Sequence, residues 1–233
     1  MRPDAPLQRV LLVRHGETDW NREGRCLGWT DRPLTDEGHT QARTLAERLK
    51  VEPVLHVVSS PLARAHATAE RIAAHHSHVT IETDPRLREI HHGALEGVFF
   101  HELPKHAPEQ HHAWVHRPSA LWMPEGERLS ELQERAVAAF SDAVKRFDDD
   151  PHDPERHLLV VVAHNLTIGT ILCDITGRSL DSLKDFRLDH CGFHELARNG
   201  DDWALIGSQG AAPFDPLEER DRPAAEAESD PSV

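Results

Sequence analysis

The chain of 233 residues has few cysteines, a deficit of basic residues and no long apolar run, and each scarcity removes a class of protein from consideration. Its three cysteines, Cys26, Cys173 and Cys191, are odd in number and lack the paired spacing of a metal knuckle. Neither a disulfide framework nor a thiolate metal site is expected, and the thiols read as reduced, in a cytoplasmic protein. Lysine and arginine total 26 against 40 aspartates and glutamates, a formal charge of −14. A surface of that sign repels nucleic acid and anionic lipid, so neither is expected as a partner, and an anionic substrate needs a local basic pocket. The apolar runs are strand-sized and the segment from Met1 to Gln8 is polar and contains proline, which predicts neither a membrane span nor a signal peptide. The length suits one substantial core, so a single domain over residues 1–212 with one active site is expected, and self-association is left open.

Two fully apolar runs, residues 10–13 and 158–163, have the character of buried parallel strands, and each runs out beside a histidine. Residues 35–49 open on Thr35 and place Ala42, Leu45, Ala46 and Leu49 at helical spacing, which predicts an amphipathic helix after the first strand. The alternation recurs as a strand over 54–59 and a helix from Pro61 that carries Leu62, Ala65, Ala69, Ile72 and Ala73 on one face. Further helices are expected over 129–147 and 166–176, the second ended by Gly177, and strands near 193–196 and 203–206. This βαβα order predicts an α/β fold: a three-layer αβα sandwich with a mostly parallel central sheet, binding ligands beyond the carboxyl ends of the strands. Two stretches break the pattern. Residues 99–123, rich in histidine and proline, read as a variable lid, and residues 213–233 are acidic and proline-rich, which predicts a disordered tail.

The first strand delivers Arg14, His15 and Gly16 in succession. Arginine offers a planar charged fork that matches phosphate oxygens, a neutral imidazole can attack phosphorus, and glycine allows close backbone approach. A second arginine, Arg64, falls in the first turn of the helix after Ser59-Ser60-Pro61, where the helix end already favours anions. The strand over 158–163 then delivers His164 to the same sheet edge, followed at once by a helix start. Two arginines and two histidines thus converge where a phosphate would sit.

In order and spacing, the motifs LLVRHGETDWN, GWTDRPLTDEG, SSPLARAHATA, LREIHHGALEG and VVAHN resemble those of the histidine phosphatase superfamily, the phosphoglycerate mutase-like group, over most of the chain up to about Gly210. The resemblance implies that His15 is the phosphorylated nucleophile, that Arg14, Arg64 and His164 hold phosphoryl oxygens with help from Asn21, and that Glu89 is the proton donor. It implies no metal and no cofactor, since fixed cations can stabilise phosphoryl transfer. Glu89 must donate in its protonated form, so burial and any neighbouring carboxylate are expected to raise its pKa against the nearby arginines. Asn165 stands where most relatives carry glycine, and it is expected to keep a backbone contact to phosphate while its side chain intrudes. Arg128 replaces the serine usual in PEGERLS, which leaves the following helix start in doubt.

The 19 histidines invite a metal reading around His75, His76 and His78 or around His106, His111, His112 and His116. His112 and His116 could share a helical face, but no carboxylate or cysteine pattern accompanies them, so solvated histidines are expected. One of His91 and His92 is a candidate for the pocket, and Trp114, Arg117 and Trp122 are candidates for its entrance. Glu17 and Thr18 are expected to organise the loop around His15. The function these readings favour is hydrolysis of a small phosphorylated metabolite. The alternatives are a mutase that returns the phosphoryl group to a bound acid, and a silent phospho-ligand binding protein.

Overall fold

The computed structural model describes residues 8–149, 158–199 and 202–211. Six strands form one sheet: β1 (Arg9–Arg14), β2 (Val54–Ser59), β3 (Ile81–Thr83), β4 (Leu158–Ala163), β5 (Leu188–Asn199) and β6 (Asp202–Ala211). Their order is β3-β2-β4-β1-β5-β6. The first four are parallel, with β1 and β4 in register from Arg9 opposite Leu158 to Arg14 opposite Ala163. β5 pairs antiparallel with both β1 and β6, an arrangement that the alternation of strand and helix did not foretell.

Helices cover both faces, which is why the central strands are apolar without interruption. Leu11 and Val13 of β1 point to one face and pack with α2 (Asp36–Leu49) and α3 (Ala63–Ala73). Val10 and Leu12 point to the other and pack with α6 (Leu129–Asp149) and α7 (Asn165–Ile175). The period-two alternation of a strand therefore feeds two cores in one three-layer sandwich. The remaining helices are short: α1 (Asp19–Glu23), α4 (Leu103–His106) and α5 (Pro108–His116).

Local chemistry explains where the elements start. Thr35 caps α2 by accepting from Gly38 N at 3.0 Å. The helix expected from Pro61 begins instead at Ala63; its cap, Leu62, has no side-chain oxygen, and the carboxylate of Asp31 takes that role by accepting from Ala63 N at 2.8 Å. Arg128 does not spoil the start of α6: Glu131 reaches back to Arg128 N at 2.8 Å, which is the carboxylate half of a capping box. Gly177 follows α7 with a left-handed φ of 64°.

Three features differ from expectation. β3 is only three residues long and carries too little pattern to read. β5 begins five residues before the expected Phe193, because the pairing with β6 shifts between Leu188 and Phe193 and Cys191 takes a φ of 58°. Such a bulge hides a strand's alternation and re-aims its side chains. Residues 99–123, expected as a lid, form α4, α5 and two flanking 3-10 turns, and Leu103, Ala107, Ala113, Leu121 and Met123 are buried in the same core as α6. The expected tail at 213–233 lies outside the described residues. No described helix is long and apolar enough to cross a membrane.

Candidate active site

β1 and β4 end side by side, so their parallel register alone brings His15 and His164 together. The imidazole rings meet edge to face with centroids 5.0 Å apart. His15 Nδ1 lies 2.6 Å from the carbonyl oxygen of Gly16. A carbonyl can only accept, so Nδ1 carries the proton and Nε2 keeps its lone pair. Burial holds the His15 pKa well below its usual value, and Arg64, His164 and Arg14 push it further the same way. The ring is therefore neutral and nucleophilic near neutral pH. Gly16 is required for this placement: a β-carbon there would lie 2.6 Å from the Gly38 carbonyl oxygen.

Two buried guanidinium groups flank the ring. Arg64 is fully buried and donates to the carbonyl oxygens of Gly28 at 2.7 Å and Thr30 at 3.2 Å. Arg14 donates to Leu188 O at 2.6 Å and to His190 Nε2 at 3.1 Å. In both, Nε is buried without a hydrogen-bond partner, and neither forms an ion pair among the described residues. Burial lowers the pKa of each to about 10, and for Arg14 the neighbouring Arg187 adds to the effect. Buried cations anchored only through neutral acceptors are costly until an anion arrives. His164 adds a ring whose Nε2 lies 2.9 Å from Ser60 Oγ and whose Nδ1 is also unpartnered.

Glu89 completes the polar end. Its carboxyl accepts from Ile90 N at 2.9 Å, Leu166 N at 3.1 Å and Thr167 Oγ1 at 3.3 Å. Burial pushes its pKa up, opposed first by the Ile90 and Leu166 amides and then by Arg64 and Arg135. The neighbouring carboxylate expected to share in this shift is not among its leading causes; desolvation does the work. Asn21 and Asn165 both line the cleft. Asn21 Oδ1 accepts from Thr18 N at 3.2 Å, and Asn165 Oδ1 accepts from Leu188 N at 3.0 Å. The Asn165 side chain is thus turned back toward β5, with its amide NH2 left unbonded among the described residues. Thr18 and Glu17 organise the loop as expected: Thr18 caps α1, and Glu17 O accepts from Thr35 N at 2.9 Å.

All seven residues selected from the sequence, Arg14, His15, Asn21, Arg64, Glu89, His164 and Asn165, belong to this one region. Of the paired histidines, His92 lines the cleft and burial lowers its pKa to about 4, whereas His91 packs on Trp29 with centroids 4.7 Å apart. Trp114 lines the cleft, but Arg117 and Trp122 do not; they line a separate depression beside α5. His112 and His116 do share a face of α5, 4.7 Å apart. No group of three metal-ligating side chains occurs among the described residues.

Sequence reasoning missed several residues. His190 and Arg187 reach the site from the bulged start of β5, and Arg25 and Lys184 line the cleft. Two further charged residues act from behind. Glu96 accepts from the backbone amides of Gly28 at 3.2 Å, Trp29 at 2.8 Å, Thr30 at 3.3 Å and His92 at 3.2 Å, and so shapes the loop whose carbonyls hold Arg64. Arg135 of α6 pairs with Glu127 at 2.6 Å and donates to the carbonyl oxygens of Arg86, Arg88 and Glu89, fixing the segment that presents Glu89. The available signal was the glycine after Glu96, which has a left-handed φ of 79° and marks a built turn.

Comparison with known proteins agrees with this geometry. Residues 10–209 match the model of the histidine phosphatase superfamily (branch 1). Over 199 residues the chain is 34% identical to a probable phosphoglycerate mutase, GpmB, of Enterobacter sp. (strain 638), which spans 85% of this chain and 89% of that protein. It is similar to the solved mycobacterial glucosyl-3-phosphoglycerate phosphatase, with a TM-score of 0.76 and 26% identity over 88% of this chain and 100% of that one. It is also similar to YhfR of Bacillus stearothermophilus, with a TM-score of 0.77 and 29% identity over 88% of this chain and 97% of that one. An imidazole held neutral between two buried guanidinium groups and the match over nearly the whole described chain lead to one assignment: the protein belongs to branch 1 of the histidine phosphatase superfamily of enzymes.

Proposed function

We propose that the protein is a metal-independent phosphomonoesterase that hydrolyses a small phosphorylated metabolite through a phosphohistidine on His15. The observation that carries this reading is the hydrogen bond from His15 Nδ1 to the Gly16 carbonyl, which leaves Nε2 as the attacking atom between Arg14 and Arg64. Nε2 attacks phosphorus in line as the ester P–O bond breaks. Arg14, Arg64, His164 and the amide groups of Asn21 and Asn165 hold the phosphoryl oxygens, and the two arginines supply fixed positive charge as the transition state expands. The Glu89 carboxylic acid gives its proton to the leaving alkoxide. The resulting carboxylate then takes a proton from water as that water attacks the phosphohistidine, so inorganic phosphate leaves and both residues return to their starting states.

Similarity to the mycobacterial glucosyl-3-phosphoglycerate phosphatase supports hydrolysis. One domain over residues 1–212 contains the whole of the proposed machinery, and the free thiols of Cys26, Cys173 and Cys191 fit a cytoplasmic setting. A second reading, transfer between positions of a phosphoacid, is favoured by the name of the Enterobacter relative and by Lys184 and Arg187 in the cleft. Phosphate release from a panel of monoesters in EDTA, with a His15→Ala control, and isomerisation of 3-phosphoglycerate with and without 2,3-bisphosphoglycerate separate the two. Hydrolysis that survives EDTA and disappears in the variant upholds the proposal. Isomerisation without release replaces it with the mutase.

A further inference from the structure

Past the phosphate end, the cleft changes character. Leu27, Leu95, Phe100, Leu103, Leu121 and Met123 line it, drawn from three separate stretches of chain at 27, 95–103 and 121–123, so the apolar surface is assembled rather than local. Within this part the lid segment contributes two side chains with polar atoms, the Trp114 indole and Gln110, which is 8% exposed and makes no side-chain hydrogen bond among the described residues. His92 Nδ1 is buried without a hydrogen-bond partner, whereas the cations of the cleft are engaged: Arg25 pairs with Glu23 and donates to Gly97 O at 3.0 Å, Lys184 donates to Val115 O at 3.1 Å, and Arg187 neighbours Arg14 at the phosphate end.

We infer that this chamber binds the alcohol portion of the substrate and selects phosphomonoesters of largely apolar alcohols, with room for one hydrogen-bonding group, over those of polyols. The inference rests on the phosphomonoesterase reading and adds the substrate class. A sugar or glycerol moiety brings several hydroxyls, and each one left without a partner costs about tenfold in binding. An alkyl or benzyl group instead gains about three- to fourfold for every methylene it removes from water. The cleft has a volume of about 140 Å³, room for about ten waters. After a phosphate is seated, that leaves space for an alcohol of about six carbons.

The test compares kcat/KM for ethyl, butyl, hexyl and benzyl phosphates with glycerol 3-phosphate, glucose 6-phosphate and 3-phosphoglycerate. All are esters of poorly acidic alcohols, so a preference for the apolar ones reports binding and not an easier bond to break. The expected result is a rise of about threefold per methylene up to hexyl, with the polyol esters below butyl phosphate. Phe100→Ala flattens the rise and Phe100→Leu restores most of it. A flat or falling series, or 3-phosphoglycerate as the best ester, overturns the inference. Dissociation constants of methyl-, butyl- and hexylphosphonate, measured by calorimetry, read the chamber without turnover. If these tighten with chain length while no ester is hydrolysed above the His15→Ala background, the chamber stands and the hydrolase reading falls. If they do not tighten, the chamber is excluded whatever the activity.

Discussion

The two ends of the cleft are built on different principles. The phosphate end takes Arg14 and His15 from the end of β1, Arg64 from the first turn of α3, and His164 and Asn165 from the junction of β4 with α7. Parallel strands and the helices that follow them bring these residues together without any dedicated segment, and their polar atoms stand partly unpartnered. The end proposed to hold the alcohol is walled largely by residues 100–123, whose buried apolar side chains join the core beneath α6. The comparison separates two requirements. In the proposed reaction, chemistry at phosphorus is positioned by sheet topology and bears the desolvation cost of buried cations, while the shape that meets the rest of the ester is set largely by residues 100–123.

Substitutions can break this division, and they are expected to do so by unequal amounts. His15→Ala removes the proposed nucleophile, and phosphate release should fall by at least about 10⁴-fold with the circular dichroism spectrum unchanged. Glu89→Gln keeps the hydrogen-bonding outline but cannot deliver a proton, so kcat should fall by about 10²- to 10⁴-fold for alkyl esters. For 4-nitrophenyl phosphate, whose leaving group needs no proton, the fall should be far smaller; equal losses on both esters would remove Glu89 from the acid's role.

The pKa directions give the pH profile its sign. The Glu89 carboxyl is raised above its usual range by burial, so the protonated donor persists to higher pH and the phosphorylation rate declines as pH rises through that raised value. The His15 imidazole is depressed by burial and nearby cations, so the nucleophile stays neutral as pH falls and is lost only well below the usual histidine range. Pre-steady-state phosphorylation measured across pH should therefore show an acid-side plateau, and its alkaline limb should vanish in Glu89→Gln with the activated ester. An alkaline limb that persists in the variant would assign it to another group.

Smaller effects come from residues that act through others. Glu96→Gln removes a carboxylate that accepts from four backbone amides around the Arg64 loop. It should weaken vanadate binding by about tenfold, the size expected for losing one to two charge-assisted hydrogen bonds. Glu96→Asp should not rescue it, because the shorter side chain cannot reach the same amides. At the bottom of the scale, Trp122→Ala and Arg117→Ala face the separate depression beside α5 and should change kcat/KM less than about twofold.

The same division explains what could be read from the sequence. The central strands and their histidines were legible because strands buried on both faces must be apolar throughout, and the arginines proposed to bind phosphate stand at or within a few residues of strand ends. Glu89, Asn21 and Asn165 were legible only through the family resemblance, since nothing in their local chemistry distinguishes them. His190 and Arg187 were not legible: a bulge with Cys191 in a left-handed conformation interrupts the alternation of β5 there. Trp114 was rightly placed at the cleft but Arg117 and Trp122 were not. Arg117 and Trp122 lie past the end of α5 at His116, where no helical spacing applies, so the face each presents is decided by packing and not by periodicity.

The most direct test of the central claim is to quench the enzyme with alkali during turnover of a monoester and map the phosphoryl group by mass spectrometry. The account predicts an acid-labile, base-stable adduct on His15, attached at Nε2 because Nδ1 is held by the Gly16 carbonyl, and no adduct in His15→Ala. A phosphoryl group found on another residue, or turnover in which no adduct forms, would contradict it.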